Sequence, residues 1–283
     1  MTAPRSLSLD HLTVVDTTPA MLVETAGQAG FSGVCMFLES MAVLPDMPAY
    51  SLHDDVPARK ATRDALRSSG LTLDLVYPFT LAGRTTVTDL EPALEIAAWL
   101  GGSRANVLVY DADPVRRADN LCRLAELAEN YAIELALEFY PASRVRTLDE
   151  AAALLDQIQR SDIGLTLDLL HLMRSGAAAE MPNPRVSIAQ LCDGPAAIAP
   201  DRLEWEASHE RQLPGLGEFD IAAFVASLAP DCPISLEIPR QSALRAGLSP
   251  LERASQAYQA ARQALDMHSQ AGMTKLKDLQ TNA

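Results

Sequence analysis

Residues 133–171 read IELALEFYPASRVRTLDEAAALLDQIQRSDIGLTLDLLH, two short apolar runs separated by an amphipathic stretch. Runs of about six aliphatic residues bounded by polar ones suit strands buried on both faces. Thr147 with Glu150 opens the intervening stretch as a capping box, in which a hydroxyl and a carboxylate satisfy the first free amides of a helix. Strand, helix, strand within ~40 residues is one β/α/β unit, with its two strands parallel.

The same alternation extends outward to both ends. Strands are expected at Leu7 to Val15, Gly33 to Phe37, Leu71 to Val76, Ala105 to Tyr110, Ile133 to Phe139, Ile163 to Leu169, Val186 to Leu191 and Ile234 to Ile238. Eight strands and about eight helices over ~250 residues predict a single closed (β/α)8 TIM barrel of the α/β class. The barrel domain is placed at residues 1–266. Residues 267–283, with Lys275 and Lys277, form a tail that reads as a frayed end or an oligomer contact. An open doubly wound sheet is the ordinary alternative, but Asp10-His11-Leu12-Thr13 stands where a dinucleotide-binding G-x-G-x-x-G would open it.

Helix starts are read at Thr18 before Pro19 and at the pairs Thr88 with Glu91 and Ser249 with Glu252; Gly30 and Gly101-Gly102 read as stops. A further helix is expected near Asp220 to Leu228. Two connections are long, Leu38 to Pro57 and Asp193 to Leu213, and in a barrel such segments become lids or binding loops over the C-terminal face.

Of 283 residues, 48% are hydrophobic and 21% charged, a balance that excludes a disordered chain. The net charge of −14 opposes nucleic acid and anionic membrane surfaces as partners. No run approaches the ~20 apolar residues of a membrane span. Residues 1–6 carry no long apolar segment, so a cytoplasmic location is expected. Cys35, Cys122, Cys192 and Cys232 form no C-x-x-C pair and read as reduced thiols.

The chemistry sits at the strand ends. Glu138 closes the fifth strand, Asp168 the sixth and Glu237 the eighth, while Gln190 sets an amide oxygen at the same depth in the seventh. One buried carboxylate can be satisfied by amides or an arginine. Four oxygen donors on four successive strands converge at the mouth of a barrel, and their repulsion calls for a cation. Such hard ligands suit Mn2+ or Mg2+ ahead of Co2+ or Fe2+, and zinc less without a histidine ligand.

In this order the motifs Ala136-Leu137-Glu138, Asp168-Leu169-Leu170-His171, Gln190-Leu191-Cys192-Asp193, Leu213-Pro214-Gly215-Leu216-Gly217-Glu218 and Ser235-Leu236-Glu237 resemble the xylose isomerase-like TIM-barrel family, the sugar phosphate isomerases and epimerases. The resemblance covers most of the chain. It implies Glu138, Asp168, Gln190 and Glu237 as metal ligands, His171 as a substrate contact and a homodimer. Many ketose epimerases of the family carry histidine where this chain has Gln190; glutamine is also met among its dehydratases, including 3-dehydroshikimate dehydratase. The family's likeness to apurinic-site endonucleases does not extend here, since those need a histidine-rich zinc cluster and this chain has five histidines.

A divalent cation at this site would polarise the carbonyl of a polyhydroxy ketone and stabilise an enediolate once a neighbouring proton leaves, with Glu138, Glu237 or His171 as the base. Return of the proton elsewhere is isomerisation or epimerisation, the first reading. Loss of an adjacent hydroxyl makes a dehydratase of the 3-dehydroshikimate or inosose type, the second; a barrel that only binds a sugar would lack the metal. Arg211, Arg174 and Arg240 are candidates to clamp a phosphate or carboxylate. His11 is either core or a substrate contact, Asp193 either orders a loop or supports the site, the two glycines of 213–218 either approach a ligand or form a tight turn, and Tyr77, Tyr110 and Tyr140 are candidates to line the pocket.

Overall fold

The computed structural model describes residues 5–176 and 185–281, with side chains to residue 266. Its strands are β1 (Leu7–Asp10), β2 (Gly33–Phe37), β3 (Thr72–Leu81), β4 (Arg104–Val109), β5 (Glu134–Glu138), β6 (Ile163–Asp168), β7 (Val186–Leu191) and β8 (Ile234–Leu236). Each pairs in parallel with the next, and β8 pairs back onto β1, closing the barrel. The helices are α1 (Pro19–Ala29), α2 (Val56–Ser69), α3 (Glu91–Leu100), α4 (Pro114–Glu129), α5 (Leu148–Ile158), α6 (Leu169–Arg174), α7 (Leu203–His209), α8 (Ile221–Ser227), α9 (Gln241–Arg245) and α10 (Pro250–Thr281).

Alternation along the strands makes two cores. Leu7, Leu9, Val34 and Met36 join Leu22 and Ala26 of α1 and Ala257 of α10 in the layer between sheet and helices. Cys35, Phe37, Leu75, Tyr77, Ala136 and Ile188 form a second cluster, to which the long connection after β2 adds Leu44 and Met47. The connection thereby folds onto the barrel, and the one after Asp193 contains α7 and returns as an antiparallel bridge between Asp193 and Gln212.

Two strands depart from the sequence reading. The first stops at Asp10 instead of Val15, because the Asp10 carboxylate accepts the Leu12 amide (3.0 Å) and starts a 3-10 turn over His11–Val14. The third runs past Val76 to Leu81 and through Pro78; its pairing with β4 shifts between Val76 and Phe79, so the residue without an N–H falls in the irregularity. The other strand bounds lie within two residues of those expected.

Caps at Thr18, Thr147 and Ser249 accept amides as expected, and Glu252 returns the bond to the Ser249 amide at 2.8 Å. Thr88 caps nothing. A 3-10 turn over Val87–Leu90 precedes α3, and the Glu91 carboxylate accepts the Tyr131 hydroxyl (2.9 Å). The backbone of 267–281 continues α10; the side chains of the tail, Lys275 and Lys277 included, lie outside the described residues. All four cysteines are free, and no described helix is long and apolar enough to cross a membrane.

Candidate active site

Parallel pairing puts the C-terminal ends of β5 to β8 side by side. Glu138 registers with Thr166, Asp168 with Gln190, and Gln190 with Ser235 two residues before Glu237. All four expected ligands are buried. One ligand atom each from Glu138, Asp168 and His171 lies within 4.8 Å of the others. His171 thus stands among the potential ligands as well as on the cavity wall, three residues after the cap Asp168, whose Oδ1 accepts the His171 amide (3.0 Å).

Each side chain is held by named partners. Glu138 Oε2 accepts Asn106 Nδ2 (2.6 Å), and Asn106 Oδ1 accepts the Thr166 hydroxyl (2.6 Å), a chain that runs through the barrel interior. Glu138 Oε1 lies 3.3 Å from His171 Nε2. The guanidinium of Arg211 donates to Asp168 Oδ2 (2.7 Å) and Glu237 Oε1 (2.8 Å), and its Nε to the carbonyl of Ala207 (3.0 Å). Gln190 Nε2 donates to Glu237 Oε2 and to the Tyr77 hydroxyl oxygen (2.9 Å). Tyr77 in turn donates to Asp10 Oδ2 (2.5 Å).

Asp10, Glu138, Asp168 and Glu237 therefore share a buried region with one arginine. Burial pushes Asp10 up to about 7 against the opposing bonds from Tyr77 and Leu12. Burial also raises Glu237 well above the usual carboxylate range; Arg211 resists, and the charges of Asp10, Asp168 and Glu138 add to the rise. Asp168 is buried as deeply, yet Arg211 and His171 outweigh burial and hold it low. Asp168 and Glu237 are thus shifted in opposite directions around one shared arginine, with burial and like charge opposing ionisation at Glu237.

A second observation agrees. Gln190 Oε1 is buried and has no hydrogen-bond donor, which costs about 1–3 kcal/mol for a carbonyl-type acceptor. An orphaned oxygen beside surplus carboxylates fits a hard divalent cation.

Above these residues opens a cavity of about 310 Å3. Phe37, Met41, Leu44, Phe79 and Leu108 give it apolar walls, Tyr77, Tyr110 and Tyr140 line it too, and Glu138, His171, Arg211 and Glu237 supply its polar floor. His11 does not line it. Both ring nitrogens are satisfied by backbone, Nε2 against Thr17 O (2.9 Å) and Nδ1 accepting the Phe37 amide (3.3 Å), so the ring sits behind the wall. Burial lowers its pKa to about 4.

Asp193 is likewise outside the lining: its oxygens accept the amides of Gly194, Gly215, Gly217 and Phe219 (2.8–3.1 Å) and shape the glycine loop, a tight turn over Asp193. Of the three arginines read as anion clamps, Arg211 lines the cavity but already holds two carboxylates. Arg174 is bidentate on Glu206 (2.6 and 2.7 Å), and Arg240 donates to Gln256 (2.6 Å).

The sequence reading passed over three participants. Asn106 is a polar residue in an apolar run, the signal that also marked Gln190. Asp10 closes Leu7-Ser8-Leu9 as Glu138 closes its strand, but an expected strand reaching Val15 hid that end. Thr166 gave no signal, since threonine is an ordinary strand residue.

A profile of the xylose isomerase-like TIM barrel matches residues 23–267. Over 134 residues the chain is 32% identical to the 3-dehydroshikimate dehydratase of Pseudomonas aeruginosa, a match covering 44% of this chain and 21% of that protein. Over 116 residues it is 28% identical to the inosose isomerase of Bacillus subtilis, covering 39% of this chain and 40% of that protein. The matches thus span about a fifth and two fifths of these curated relatives. Among solved structures, that of the IOLI protein with a bound zinc atom superposes with a TM-score of 0.70 at 18% identity, covering 93% of this chain and 99% of the other, a likeness of fold.

Proposed function

Because the chain belongs to the xylose isomerase-like TIM barrel family, we propose that it is a divalent-metal-dependent isomerase or epimerase of a small polyhydroxy ketone. The proposed ligands are Glu138, Asp168, Gln190 and Glu237, with His171 beside them. The observation that carries the reading is the charge imbalance at the mouth, four buried carboxylates and an orphaned amide oxygen around one arginine. When bound, a divalent cation supplies Lewis-acid polarisation of a carbonyl and its adjacent hydroxyl. Mn2+ or Mg2+ suits the oxygen set; the zinc carried by the IOLI structure supports a divalent ion without choosing among them.

The residues divide the remaining work. Glu138 and Glu237 come from strands three apart in a ring of eight, so they reach a substrate from different sides, one to remove a proton next to the carbonyl and the other to return it. His171, 3.3 Å from Glu138, is placed to accept or hand on that proton. Arg211 holds Asp168 and Glu237 in fixed orientation. The apolar walls exclude water, and among the described residues lining the cavity the one arginine is already engaged, which favours an unphosphorylated ketone.

A second reading has its own support. The 32% match to 3-dehydroshikimate dehydratase favours a lyase in which the same proton abstraction is followed by loss of a hydroxide from the adjacent carbon, proton and hydroxide leaving as water. Incubation of Mn2+-loaded protein with ketoses, inososes and 3-dehydroshikimate in D2O separates the two. Deuterium uptake without a new ultraviolet band is expected for the isomerase, and a conjugated chromophore for the dehydratase. Neither signal with any of these substrates would overturn proton abstraction as the shared first step.

A further inference from the structure

Gln190 is the neutral member of the proposed ligand set, and its amide has two ends of opposite sense. The oxygen has lone pairs for a cation; the NH2 group has only protons to give. The group that faces away from Tyr77 and Glu237 therefore decides whether position 190 is a ligand.

The surroundings leave one solution. Asp10 is buried at the end of β1, with Oδ1 taken by the Leu12 amide (3.0 Å) and Oδ2 facing the Tyr77 hydroxyl (2.5 Å). The other neighbour of Oδ2 is the Ser235 hydroxyl at 3.5 Å, so the Tyr77 proton is the principal partner of that oxygen. A phenol has one proton. With it directed at Asp10, the Tyr77 oxygen can only accept, and Gln190 Nε2 donates into it at 2.9 Å while the second amide proton goes to Glu237 Oε2. With Asp10 and Glu237 ionised, the state in which Glu237 could serve a cation as a ligand, the reversed amide would press Gln190 Oε1 against two acceptors.

We infer that Asp10 and Tyr77 are positioning residues that lock the Gln190 amide by relaying hydrogen-bond polarity, leaving Oε1 as the free atom and making a glutamine a fixed oxygen donor for a divalent cation. The inference rests on the metal-dependent reading above. It joins the ends of β1, β3 and β7, and it explains why the amide oxygen alone in this network lacks a donor.

The isosteric variant Asp10→Asn makes the sharpest test. Its Oδ1 keeps the Leu12 amide, its NH2 now donates to Tyr77, and the freed phenol proton favours the reversed Gln190 amide, which turns Oε1 toward Tyr77 and presents NH2 where the cation needs an oxygen. Mn2+ affinity, read by calorimetry and by the free-ion electron paramagnetic resonance signal, is expected to fall at least about tenfold in Asp10→Asn and Tyr77→Phe, the scale of losses when groups that orient a ligand are removed. In a Gln190→His background, where the ring offers a lone pair without an amide to orient, the same substitutions should change affinity less than about twofold, a rescue that general damage to the fold would not give.

Equal losses in both backgrounds, or unchanged Mn2+ binding in both variants beside a wild type that binds, would overturn the lock and leave the metal reading intact. A wild type that binds no divalent ion overturns both. Should Tyr77→Phe fail to fold, Asp10→Asn, which changes no volume, carries the test.

Discussion

Glu134 and Glu138 lie at opposite ends of one strand, in opposite electrostatic company. Glu134, at the N-terminal end of β5, is paired with Arg185 (2.8 Å) and Arg104 (3.5 Å) and accepts the Ser187 hydroxyl. Glu138, at the C-terminal end, meets His171 and Asn106 and lies near Asp168, Asp10 and Glu237, with Arg211 as the one guanidinium among them. At Glu134 two arginines answer the charge, whereas the carboxylates at the top share one. The bottom is a place of stability and the top a place of chemistry, as the geometry of parallel barrels leads one to expect.

The largest test of that contrast swaps one oxygen for nitrogen at each end. Glu138→Gln is expected to lower deuterium uptake into substrate by about 10^3-fold, the scale of a lost general base, while Glu134→Gln leaves it within about twofold. Comparable losses from both would erase the distinction.

Arg211→Met withdraws the arginine from the mouth and leaves Asp168 and Glu237 without a partner. A loss of about 3–5 kcal/mol in urea unfolding is expected, the usual cost of stranding a buried charge, and saturating Mn2+ should restore part of it. Unchanged stability would mean that the mouth is not short of positive charge.

His11 gives a pH-dependent measure. Burial lowers its pKa to about 4 from the ordinary 6.5, so on acidification the unfolded chain takes up a proton before the folded one. Stability from a neutral His11 is therefore full above about pH 6.5 and lost as pH falls toward 4, by up to about 3 kcal/mol. The difference in urea stability between the protein and His11→Asn, followed across that range, isolates it from the carboxylates common to both; no change in the difference would refute the burial account. Smallest of all, Glu134→Gln should cost about 1 kcal/mol, seen as a lower urea midpoint with deuterium uptake retained.

The fold was readable because a strand buried on both faces is an apolar run, and Glu138, Asp168, Gln190 and Glu237 stood out as polar residues closing such runs. What linked them was not readable. Asn106 to Glu138 joins the neighbouring strands β4 and β5, while Thr166 to Asn106, Tyr77 to Asp10 and Gln190 to Tyr77 cross the barrel interior between non-adjacent strands; all four depend on register and are invisible to local periodicity. Arg211 was noticed as a cation beside the site, but its engagement with Asp168 and Glu237 depends on a loop returning through the Asp193 to Gln212 bridge. His11 and Asp193 were left open between two roles because burial of both ring nitrogens, or of one carboxylate under four amides, has no trace in sequence spacing.

Asp193 has a consequence for which positions of its loop can vary. A side chain at Gly217 would run into the Asp193 carboxylate (2.2 Å from the added carbon), so the base of that turn admits no variation, while Leu216 at its apex is 72% exposed. Anchor and tip are thereby uncoupled: the tip residue can be exchanged like the bit of a screwdriver while the handle keeps its grip, and substitutions at position 216 should leave the barrel beneath undisturbed.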